Sequence, residues 1–432
     1  MSVAVQHLPL ASTFYDQDDA LPKDIDWGTA TPISHEEHID AKFSSAAYKR
    51  DIKRPAEVEA VPSRQKALLL QDLRQPFELQ QEYAVPQVKA PEELLIKVRT
   101  IGLNPIDWKS VDYGFGIPVL PYVSGRDFAG VVVKGPLSKS HIQEGDVILC
   151  PSTDYRDLRK AAYQQYAVAS DSTVCRLPSH VSASQGAAIG VAYVAAALAL
   201  GICLGLPMPA VGSRAGPDLL EIVRSTPLGR LPADTVSECI SIKESEKPKA
   251  GEWVVIWGGS STSALFLAEI AKLAGMRVVL VVDVAKHGAR LIDTSECVCI
   301  DSHDAERAVH VIRGIAGPNL RFGVDTVGRE TSQYLAQCLS TDGSSKSHLV
   351  GLAALPKQQE EGIVYHSVPV KLFHEVPRVG ASLMSWLEEA LASKSILLPR
   401  VEEAPGGLAG INAALDRMRQ GQISGMRLVV PL

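Results

Sequence analysis

Long apolar runs are missing from this 432-residue chain, and so is any excess of basic residues. The longest apolar candidate, residues 187–206, is rich in alanine and interrupted by glycines, which is typical of a buried helix rather than of a membrane span. Lysine and arginine number 43 against 49 acidic residues, so the net charge is −6 and no basic face is available for a phosphate backbone. We therefore expect no membrane partner and no nucleic-acid partner.

Cysteine is also scarce: the chain has seven, an odd number, and they are scattered along it. No pair has the spacing of a zinc finger, and the N-terminal residues lack the basic start and apolar centre of a secretory signal. These features favour a cytoplasmic protein with reduced, buried thiols. The spacing predicts no metal site.

The pattern along the chain divides it into a polar start, a strand-rich part and an alternating part. Residues 1–62 are acidic and polar without a sustained period, so we interpret them as a loosely attached extension. From Lys66, short strands separated by glycine and proline follow, as in a compact β-rich domain. From Trp253, strands and helices alternate, and the first strand, WVVIW, is apolar on both faces. This pattern predicts an α/β fold with a doubly wound parallel sheet.

Two segments differ from their surroundings. Residues 207–250 are rich in proline, glycine and charge and are too long for an ordinary connector, so we interpret them as an insertion, either disordered or a lid. The last residues, MRLVVPL, have the pattern of a strand, and we expect this strand to return to the β-rich domain.

A glycine-rich turn joins WVVIW to the next helix and consists of Gly258, Gly259, Ser260, Ser261, Thr262 and Ser263. Backbone N–H groups at such a turn and the positive end of the helix can face a pyrophosphate, and the hydroxyl groups add donors. The third glycine of the strict dinucleotide fingerprint is missing, so a turn without a ligand is the alternative interpretation. Asp283 ends the next strand and would bind the ribose of NAD(H), whereas Lys286 could hold the 2′-phosphate of NADP(H).

Several motifs follow one another along the chain. They are IGLNPIDWK (101–109), SGRDFAG (124–130), EGDVI (144–148), AAYQQYAV (161–168), AAIG (187–190), LGLPMP (204–209), GGSSTSA (258–264), FGVDTVG (322–328) and GQISGMRLVV (421–430). In this order they resemble the medium-chain dehydrogenase/reductase superfamily, in its zinc-independent quinone oxidoreductase and enoyl reductase branch. Within that branch the chain is similar to fungal trans-acting enoyl reductases that work with polyketide synthases. The resemblance runs from about residue 64 to the C-terminus.

The resemblance implies two domains with the active site in the cleft between them. Residues 63–190 together with 366–432 would form a GroES-like, β-rich catalytic domain, and residues 191–365 would form a Rossmann domain that binds the dinucleotide. A catalytic zinc is not expected, because the positions of its cysteine and histidine ligands hold Asn104 and Arg126. Arginine is not a metal ligand, and a lone amide is a poor one.

The resemblance also assigns the chemistry to two residues. Lys109 matches a lysine that faces the nicotinamide and is implicated in proton delivery, and Asp127 matches a carboxylate that accompanies it. Side by side, Asp127 would hold the Lys109 ammonium charged and oriented. The alternatives are a solvated surface lysine and a structural carboxylate at the domain boundary.

Further contacts with the cofactor and the substrate follow from the same resemblance. Asp107 is expected at the cofactor site, with capping of its own loop as its simpler role. The loop that contains Gly351 and Leu352 is also expected at the cofactor. Substrate contacts are expected from the helix that carries Val191, Tyr193, Val194 and Ala195. The alanine-rich face of this helix could leave space for a ligand, but we favour helix packing as its explanation.

Three positions depart from the pattern of these relatives. Ala195 stands where they have a threonine that holds the nicotinamide amide, and Ser302 where they have a tyrosine near the adenosine phosphate. Asp283 stands where they have a serine for the 2′-phosphate. We expect NADP as the cofactor, with NAD as the alternative because of Asp283.

The resemblance implies NAD(P)H-dependent reduction of an activated carbon–carbon double bond. The expected substrate is a 2-enoyl thioester carried by a polyketide synthase, which would then be a partner, and the protein is expected to be a monomer or a dimer. The alternatives are a quinone or enone oxidoreductase acting on small molecules and a noncatalytic partner protein that has lost tight cofactor binding. A surface for an acidic carrier would favour the first function, although an ordinary solvated surface is the simpler interpretation of its candidates, Arg156, Arg159, Lys160, Arg214, Arg224 and Arg230.

Overall fold

The structure is a computed structural model, and it describes residues 60–295, 297–342 and 345–432. Of residues 292–295 only the backbone is described. Of the extension predicted over residues 1–62, residues 60–62 are described and are exposed, and the remainder lies outside the described residues.

The described strands are β1 (Arg64–Leu70), β2 (Glu78–Ala84), β3 (Glu93–Gly102), β4 (Tyr122–Val123), β5 (Asp127–Lys134), β6 (Val147–Pro151), β7 (Tyr166–Ser170), β8 (Cys175–Arg176), β9 (Trp253–Trp257), β10 (Arg277–Val282), β11 (Val298–Asp301), β12 (Phe322–Asp325), β13 (Ser347–Gly351), β14 (Ile363–Ser367), β15 (Val401–Glu403) and β16 (Arg427–Pro431). The described α-helices are α1 (Pro105–Tyr113), α2 (Ala183–Ala187), α3 (Gly190–Leu198), α4 (Leu219–Arg224), α5 (Val236–Ile240), α6 (Thr262–Leu273), α7 (Val284–Ser295), α8 (Ala305–Ala316), α9 (Arg329–Cys338), α10 (Lys371–Glu375), α11 (Pro377–Ala392) and α12 (Gly407–Arg419).

Two largely antiparallel sheets build the first domain. One has three strands in the order β2-β1-β4, and the other has seven, in the order β15-β16-β3-β5-β6-β8 with β7 paired to β3. Alternating apolar side chains of both sheets, among them Leu68, Ile96 and Phe128, are buried in one core with Trp108 of α1. The GroES-like, β-rich domain predicted from the sequence is confirmed.

A six-stranded sheet in the order β11-β10-β9-β12-β13-β14 forms the centre of the second domain, and each neighbouring pair is parallel. The central strand β9 is buried on both faces because helices cover both. Val254 and Ile256 pack in the core that contains Phe266 of α6, and Val255 packs on the opposite side with Leu335 of α9. The doubly wound α/β fold is confirmed.

The chain crosses between the domains at its C-terminal end. Strand β16 returns to the first domain, as predicted, and pairs with β3, where Val430 lies opposite Ile101. The predicted boundary between residues 365 and 366 falls inside β14, which is paired with β13 along its whole length. The second domain therefore continues at least to Ser367, because a paired strand cannot be divided between two folding units.

The insertion over residues 207–250 folds into α4, α5 and short turns, so disorder was the wrong alternative. Leu219, Leu220 and Cys239 of this segment are buried in the core that also contains α3 and α11. Asp218 caps α4, where its Oδ1 accepts from the Glu221 amide at 2.9 Å. The insertion is thus a structured part of the second domain.

Two expectations about composition can be compared with the described residues. Among the helices of the described residues, none is long and apolar enough to cross a bilayer. Five of the seven cysteines are buried, but Cys297 and Cys299 are partly exposed, so the prediction of buried thiols holds only for the other five.

Candidate active site

A cavity of about 700 Å³ lies between the two domains. Its walls include Lys109 of α1 and residues that directly follow three neighbouring parallel strands, namely Gly258 after β9, Thr326 after β12 and Leu352 after β13. Open α/β sheets bind their ligands at this edge, outside the carboxyl ends of the strands. The cavity therefore occupies the position where a dinucleotide and its substrate would meet.

The turn after β9 requires glycine at its first position. Gly258 has a φ of +85°, and a Cβ atom at this residue would lie 2.3 Å from Oγ1 of Thr326. Ser261 caps α6, where its Oγ accepts from the Ala264 amide at 3.1 Å and donates to Oγ1 of Thr326 at 3.0 Å. Hydrogen bonds to both neighbouring segments thus hold the turn in place.

The donors for an anion come from the start of α6 rather than from the glycines. The amides of Gly258 and Gly259 both donate to the carbonyl of Val281, at 3.0 and 2.9 Å, which ties the turn to β10. A helix leaves its first N–H groups without an intrahelical acceptor. At this helix start the residues that line the cavity are Ser260, Ser261, Thr262 and Ser263.

A second, smaller cavity of about 160 Å³ shares Ser260 and Thr262 with the first. Gly259, Arg290 and Arg400 also line it. Burial, followed by the charge of Arg400, lowers the pKa of Arg290, so the two guanidinium groups are close enough to repel each other. A phosphate bound between them would relieve this repulsion.

Asp283 and Lys286 line neither cavity. Asp283 caps α7, where its Oδ1 accepts from the Lys286 amide at 2.9 Å, and its Oδ2 lies 3.7 Å from Nε2 of His303. The Lys286 side chain is exposed. Contact of either residue with a ribose or a phosphate stays a prediction.

Lys109 faces the same cavity as the glycine-rich turn. Its side chain is partly buried, and this burial lowers the pKa of its ammonium group. Its Nζ lies 5.7 Å from the centre of the Trp108 ring. Among the described residues it has no carboxylate partner in an ion pair. Its donors therefore remain available to a molecule in the cavity.

The predicted pairing of Lys109 with Asp127 is wrong. Asp127 is fully buried on β5, and its Oδ2 accepts from Nη2 of Arg427 at 2.7 Å and from Nδ2 of Asn104 at 2.9 Å. Its Oδ1 accepts from the amide of Val191, at the start of α3, at 2.7 Å. Asp127 is thus a structural carboxylate that joins four segments at the domain junction, which was the alternative interpretation of this residue.

The two positions that hold zinc ligands in the zinc-dependent branch have other contacts here. The Asn104 side chain accepts from Arg427 and donates to Asp127, so both ends of its amide are engaged. Arg126 lies over the ring of Tyr155, at 5.3 Å from its centre, and both line the large cavity. Both side chains are thus engaged within the chain, and the absence of a catalytic zinc at these positions stays a prediction.

Asp107 is a helix cap rather than a cavity residue. It is buried, and its Oδ2 accepts from the Asn104 amide at 2.8 Å in a capping box at the start of α1. Among the described residues its Oδ1 has no hydrogen-bond partner, and burial raises the pKa of the carboxyl group to about 6. The prediction of Asp107 as a cofactor contact is therefore replaced by its simpler alternative.

Helix α3 divides the predicted substrate residues between two sides. Val191 and Ala195, one helical turn apart, line the large cavity. Tyr193 and Val194 are fully buried in the core, where the Tyr193 ring stacks on Trp386 at 5.9 Å. Tyr193 and Val194 are therefore packing residues, and the helix provides both a cavity wall and a packing face.

The two residues predicted after β13 also differ in position. Leu352 lines the large cavity, whereas Gly351 is the buried last residue of β13 and does not. A Cβ atom at Gly351 would lie 2.7 Å from the carbonyl oxygen of Ala354. Gly351 is thus explained by the close approach of its own loop rather than by a ligand.

The residues that line the cavity and were missed by the sequence reasoning include Arg427, His374 and Glu238. Nδ1 of His374 lies 2.7 Å from Oγ1 of Thr153, and burial lowers the pKa of this histidine to about 4, so it is neutral at physiological pH. Glu238 belongs to the insertion. Only Arg427 left a signal in the sequence, as a single charge at the start of an apolar strand.

Most of the basic residues considered for binding an acidic carrier are engaged within the chain. Arg156, Arg159 and Lys160 form ion pairs with neighbouring carboxylates. Arg224 donates to the backbone carbonyls of Cys239 and Ile242. A docking surface for an acidic carrier at these residues stays a prediction.

Comparison with known proteins agrees with this architecture. A family model described as the alcohol dehydrogenase GroES-like domain matches residues 90–179. A trans-enoyl reductase from Fusarium mangiferae is 26% identical over 367 residues, covering 81% of this chain and 95% of that protein. A trans-enoyl reductase from Aspergillus niger is 25% identical over 399 residues, covering 87% of this chain and 99% of that protein.

A similar solved structure is that of Escherichia coli quinone oxidoreductase in complex with NADPH. It has a TM-score of 0.62 and 16% sequence identity, and the match covers 85% of this chain and all of that chain. At this identity the likeness concerns the fold.

Proposed function

Because the chain belongs to the medium-chain dehydrogenase/reductase superfamily of NAD(P)H-dependent oxidoreductases, in its quinone oxidoreductase and enoyl reductase branch, we propose that it reduces the activated carbon–carbon double bond of a 2-enoyl thioester with NADPH. The observation that carries this proposal is the shared cavity. Lys109 of the first domain and the glycine-rich turn of the second domain line the same space.

The residues at this edge of the sheet fit a dinucleotide. The start of α6 offers hydroxyl groups and unpaired amides to a pyrophosphate, and Gly258 lets the backbone turn beside it without a side chain. Arg290 and Arg400 would receive a further phosphate in the smaller cavity, which favours NADPH over NADH. A bound NADPH supplies the hydride that adds to the β-carbon of the substrate.

Lys109 would stabilise the charge that this addition creates. When the double bond is reduced, negative charge develops on the thioester oxygen, and the α-carbon then takes a proton. The Lys109 ammonium can donate a hydrogen bond to that oxygen or deliver the proton. It is suited to both roles because partial burial strengthens its interaction with an anion, and because no carboxylate among the described residues competes for it.

The other cavity residues would bind and orient the substrate. Val191, Ala195 and Leu352 offer an apolar surface for an acyl chain, and the small side chain of Ala195 leaves room for it. Arg126 and the neutral His374 add donors on the side of the first domain. Carboxylates of the insertion, Asp234 and Glu238, line another part of the wall. The insertion would therefore influence which acyl chains are accepted.

A carrier-bound substrate is proposed because two relatives that match over most of this chain are trans-enoyl reductases. In this proposal the acyl chain is presented by a polyketide synthase. The ion-paired basic residues described above have carboxylate partners within the chain, so the proposal for this partner rests on the relatives.

The test combines a binding measurement with a turnover measurement on the purified full chain. Fluorescence titration should give a Kd for NADPH below about 1 mM, the upper end of typical KM values, and a weaker Kd for NADH. Oxidation of NADPH should then be followed with a 2-enoyl pantetheine thioester and, in parallel, with a small quinone. The proposal predicts turnover of the thioester and little of the quinone.

Two other results would support the alternative functions. Turnover of the quinone alone would make the protein a quinone oxidoreductase. Failure to bind either dinucleotide would make it a noncatalytic protein that keeps the fold, and it would remove the proposed reaction altogether.

A further inference from the structure

Three potential metal ligands from distant parts of the sequence meet beside the large cavity. They are Cys203 at the end of the π-helical turn that continues α3, Glu238 on α5 of the insertion, and His366 on β14. Sγ of Cys203, a carboxylate oxygen of Glu238 and a ring nitrogen of His366 all lie within 4.8 Å of one another. The closest pair is Oε2 of Glu238 and Nδ1 of His366, at 2.7 Å.

This set of donors matches zinc. Zinc in proteins binds thiolate sulfur, imidazole nitrogen and carboxylate oxygen, whereas calcium and magnesium prefer oxygen alone. Ligand atoms around a tetrahedral zinc lie roughly 3.3–3.8 Å apart, as its bond lengths require. Side-chain shifts of about 1 Å or less would therefore bring the three donors onto one ion.

The surroundings of His366 complete such a site. A metal-bound histidine usually donates its second ring N–H to a neighbouring acceptor, which fixes the ring. Nε2 of His366 lies 3.0 Å from Nδ1 of His348, and both rings are fully buried. The second oxygen of Glu238 is also held, because its Oε1 accepts from the Ser367 amide at 2.9 Å. Two of the three ligands are thus oriented by their own partners.

One buried ring nitrogen next to this cluster, Nε2 of His348, has no hydrogen-bond partner among the described residues. With a neutral His366 and an ionised Glu238, Nδ1 of His366 donates to Glu238 and its Nε2 accepts from Nδ1 of His348. Nε2 of His348 then carries no proton, and it is a buried acceptor that no donor of the described residues reaches. A metal on Nδ1 of His366 moves each ring proton to the other nitrogen, so that Nε2 of His348 becomes a donor 3.8 Å from the Glu246 carboxylate.

We propose that Cys203, Glu238 and His366 bind one zinc ion that fastens the insertion to the sheet. Binding converts the Cys203 thiol to a thiolate and releases one proton, while the two histidines only exchange the positions of theirs. The charge of +2 is then balanced by one thiolate and one carboxylate, which lowers the free-energy cost of burying the ion. Water from the cavity, whose wall includes Glu238 and Ser367, supplies the fourth ligand.

This site is separate from the positions that carry the catalytic zinc in zinc-dependent dehydrogenases, which hold Asn104 and Arg126 here. The sequence analysis did not predict this site, because it predicted no metal site at all. Cys203 and Glu238 are 35 residues apart, and Glu238 and His366 are 128 residues apart. No short sequence motif therefore indicates this site. The inference does not depend on the proposed reaction, because its test measures metal binding and unfolding rather than turnover.

The experiment is a zinc titration of the full chain after treatment with a chelator. Isothermal titration calorimetry in buffers of different ionisation enthalpy should give one zinc per chain and one proton released per zinc. Thermal unfolding should shift to higher temperature when zinc is added. Cobalt in place of zinc should give the absorption band of a cobalt–thiolate bond.

Variants of the proposed ligands test which side chains bind the zinc. Cys203→Ser should abolish the cobalt–thiolate band, and Glu238→Gln, an isosteric change on the cavity wall, should weaken zinc binding at least tenfold. Cys338→Ser is the matched control, because this thiol is also buried but lies on α9, and it should bind zinc like the unaltered chain.

Three results would overturn the proposal. They are the absence of stoichiometric zinc binding, equal binding by the Cys203→Ser chain, and loss of binding in His303→Gln. The last result would move the ion to the exposed cluster of Asp283, Asp301 and His303. In each case Cys203 would be an ordinary core thiol beside a buried Glu238–His366 hydrogen bond.

Discussion

Arg427, the first residue of the last strand, donates from Nη2 to Oδ2 of Asp127 at 2.7 Å, and both side chains are almost completely buried. The pair joins β16 to β5 within the sheet of the first domain. Because Asp127 also accepts from the Val191 amide at 2.7 Å, the same carboxylate holds the start of α3. One carboxylate therefore connects the C-terminal strand, strand β5 and a helix that lines the cavity.

Removing the charge of Asp127 should destabilise the whole protein. Asp127→Asn leaves the Arg427 guanidinium buried without a counter-charge, and breaking a buried pair in this way costs about 3–5 kcal/mol. The free energy of unfolding should be measured by urea denaturation. Arg417→Gln is the control, since it breaks the exposed pair with Glu402, which is worth about 0–1 kcal/mol. Equal losses in the two variants would contradict the role given to Asp127.

Much of the fold could be predicted because it depends on local patterns. The WVVIW run predicts a strand buried on both faces, and β9 lies in the middle of the parallel sheet. The apolar MRLVVPL segment predicts a strand, and β16 pairs with β3. In both cases the periodicity of side chains along one segment is sufficient, because burial on one or two faces determines which residues are apolar.

The site was harder to predict because it depends on which side chains meet across the fold. The family resemblance suggested that Lys109 and Asp127 would pair, but Arg427 is the partner of Asp127, 300 residues further along the chain. Helical position alone did not separate Val191 and Ala195, which line the cavity, from Tyr193, which lies in the core. Partners of this kind are determined by tertiary contacts that no local pattern encodes.

Asp107 should make stability depend on pH. Burial raises the pKa of Asp107 in the folded protein to about 6, above the value of about 3.9 expected in the unfolded chain. Between these values the folded protein binds the proton more tightly, so the contribution of Asp107 to stability falls as the pH rises from about 4 to about 6. Above that range the ionised carboxylate carries the full cost of its burial.

Asp107→Asn removes this cost while keeping an oxygen that can accept from the Asn104 amide. Near pH 7.5 the variant should be the more stable protein, by up to about 3 kcal/mol, which corresponds to two pKa units at about 1.4 kcal/mol each. Near pH 4 the two proteins should unfold alike. Urea denaturation at both pH values measures the difference, and parallel stability curves over this range would refute the explanation.

Gly258 should be required for dinucleotide binding. Gly258→Ala introduces a Cβ atom 2.3 Å from Oγ1 of Thr326 at a residue with a φ of +85°, so the turn must shift. We expect the Kd for NADPH to rise about tenfold or more, equivalent to about 1.4 kcal/mol. Gly314→Ala is the control, because this residue lies in α8 with open space around it, and it should stabilise the fold by about 0.5–1 kcal/mol without changing the Kd. Similar Kd values for the two variants would exclude the turn from the cofactor site.

Lys109→Met should separate chemistry from cofactor binding. The change removes the ammonium group but keeps an unbranched side chain in the cavity. Loss of a general acid or of a hydrogen bond to the developing oxyanion lowers kcat by about 10²–10⁴-fold. The Kd for NADPH, measured by fluorescence, should stay unchanged, because Lys109 is not among the residues proposed to hold the phosphates. Unchanged turnover would remove Lys109 from the mechanism.

The pH dependence of kcat/KM tests more directly whether the Lys109 ammonium is the donor. Burial lowers the pKa of Lys109, and the protonated ammonium is the form that donates. The rate should therefore be full below this pKa and fall as the pH rises through it, at a lower pH than a free lysine would give. Lys109→Arg keeps its charge throughout this range, so its profile should lose the alkaline decline while its plateau drops, because the guanidinium is bulkier and a poor proton donor. If the decline persists unchanged in Lys109→Arg, it belongs to another group, and the role proposed for the Lys109 ammonium is wrong.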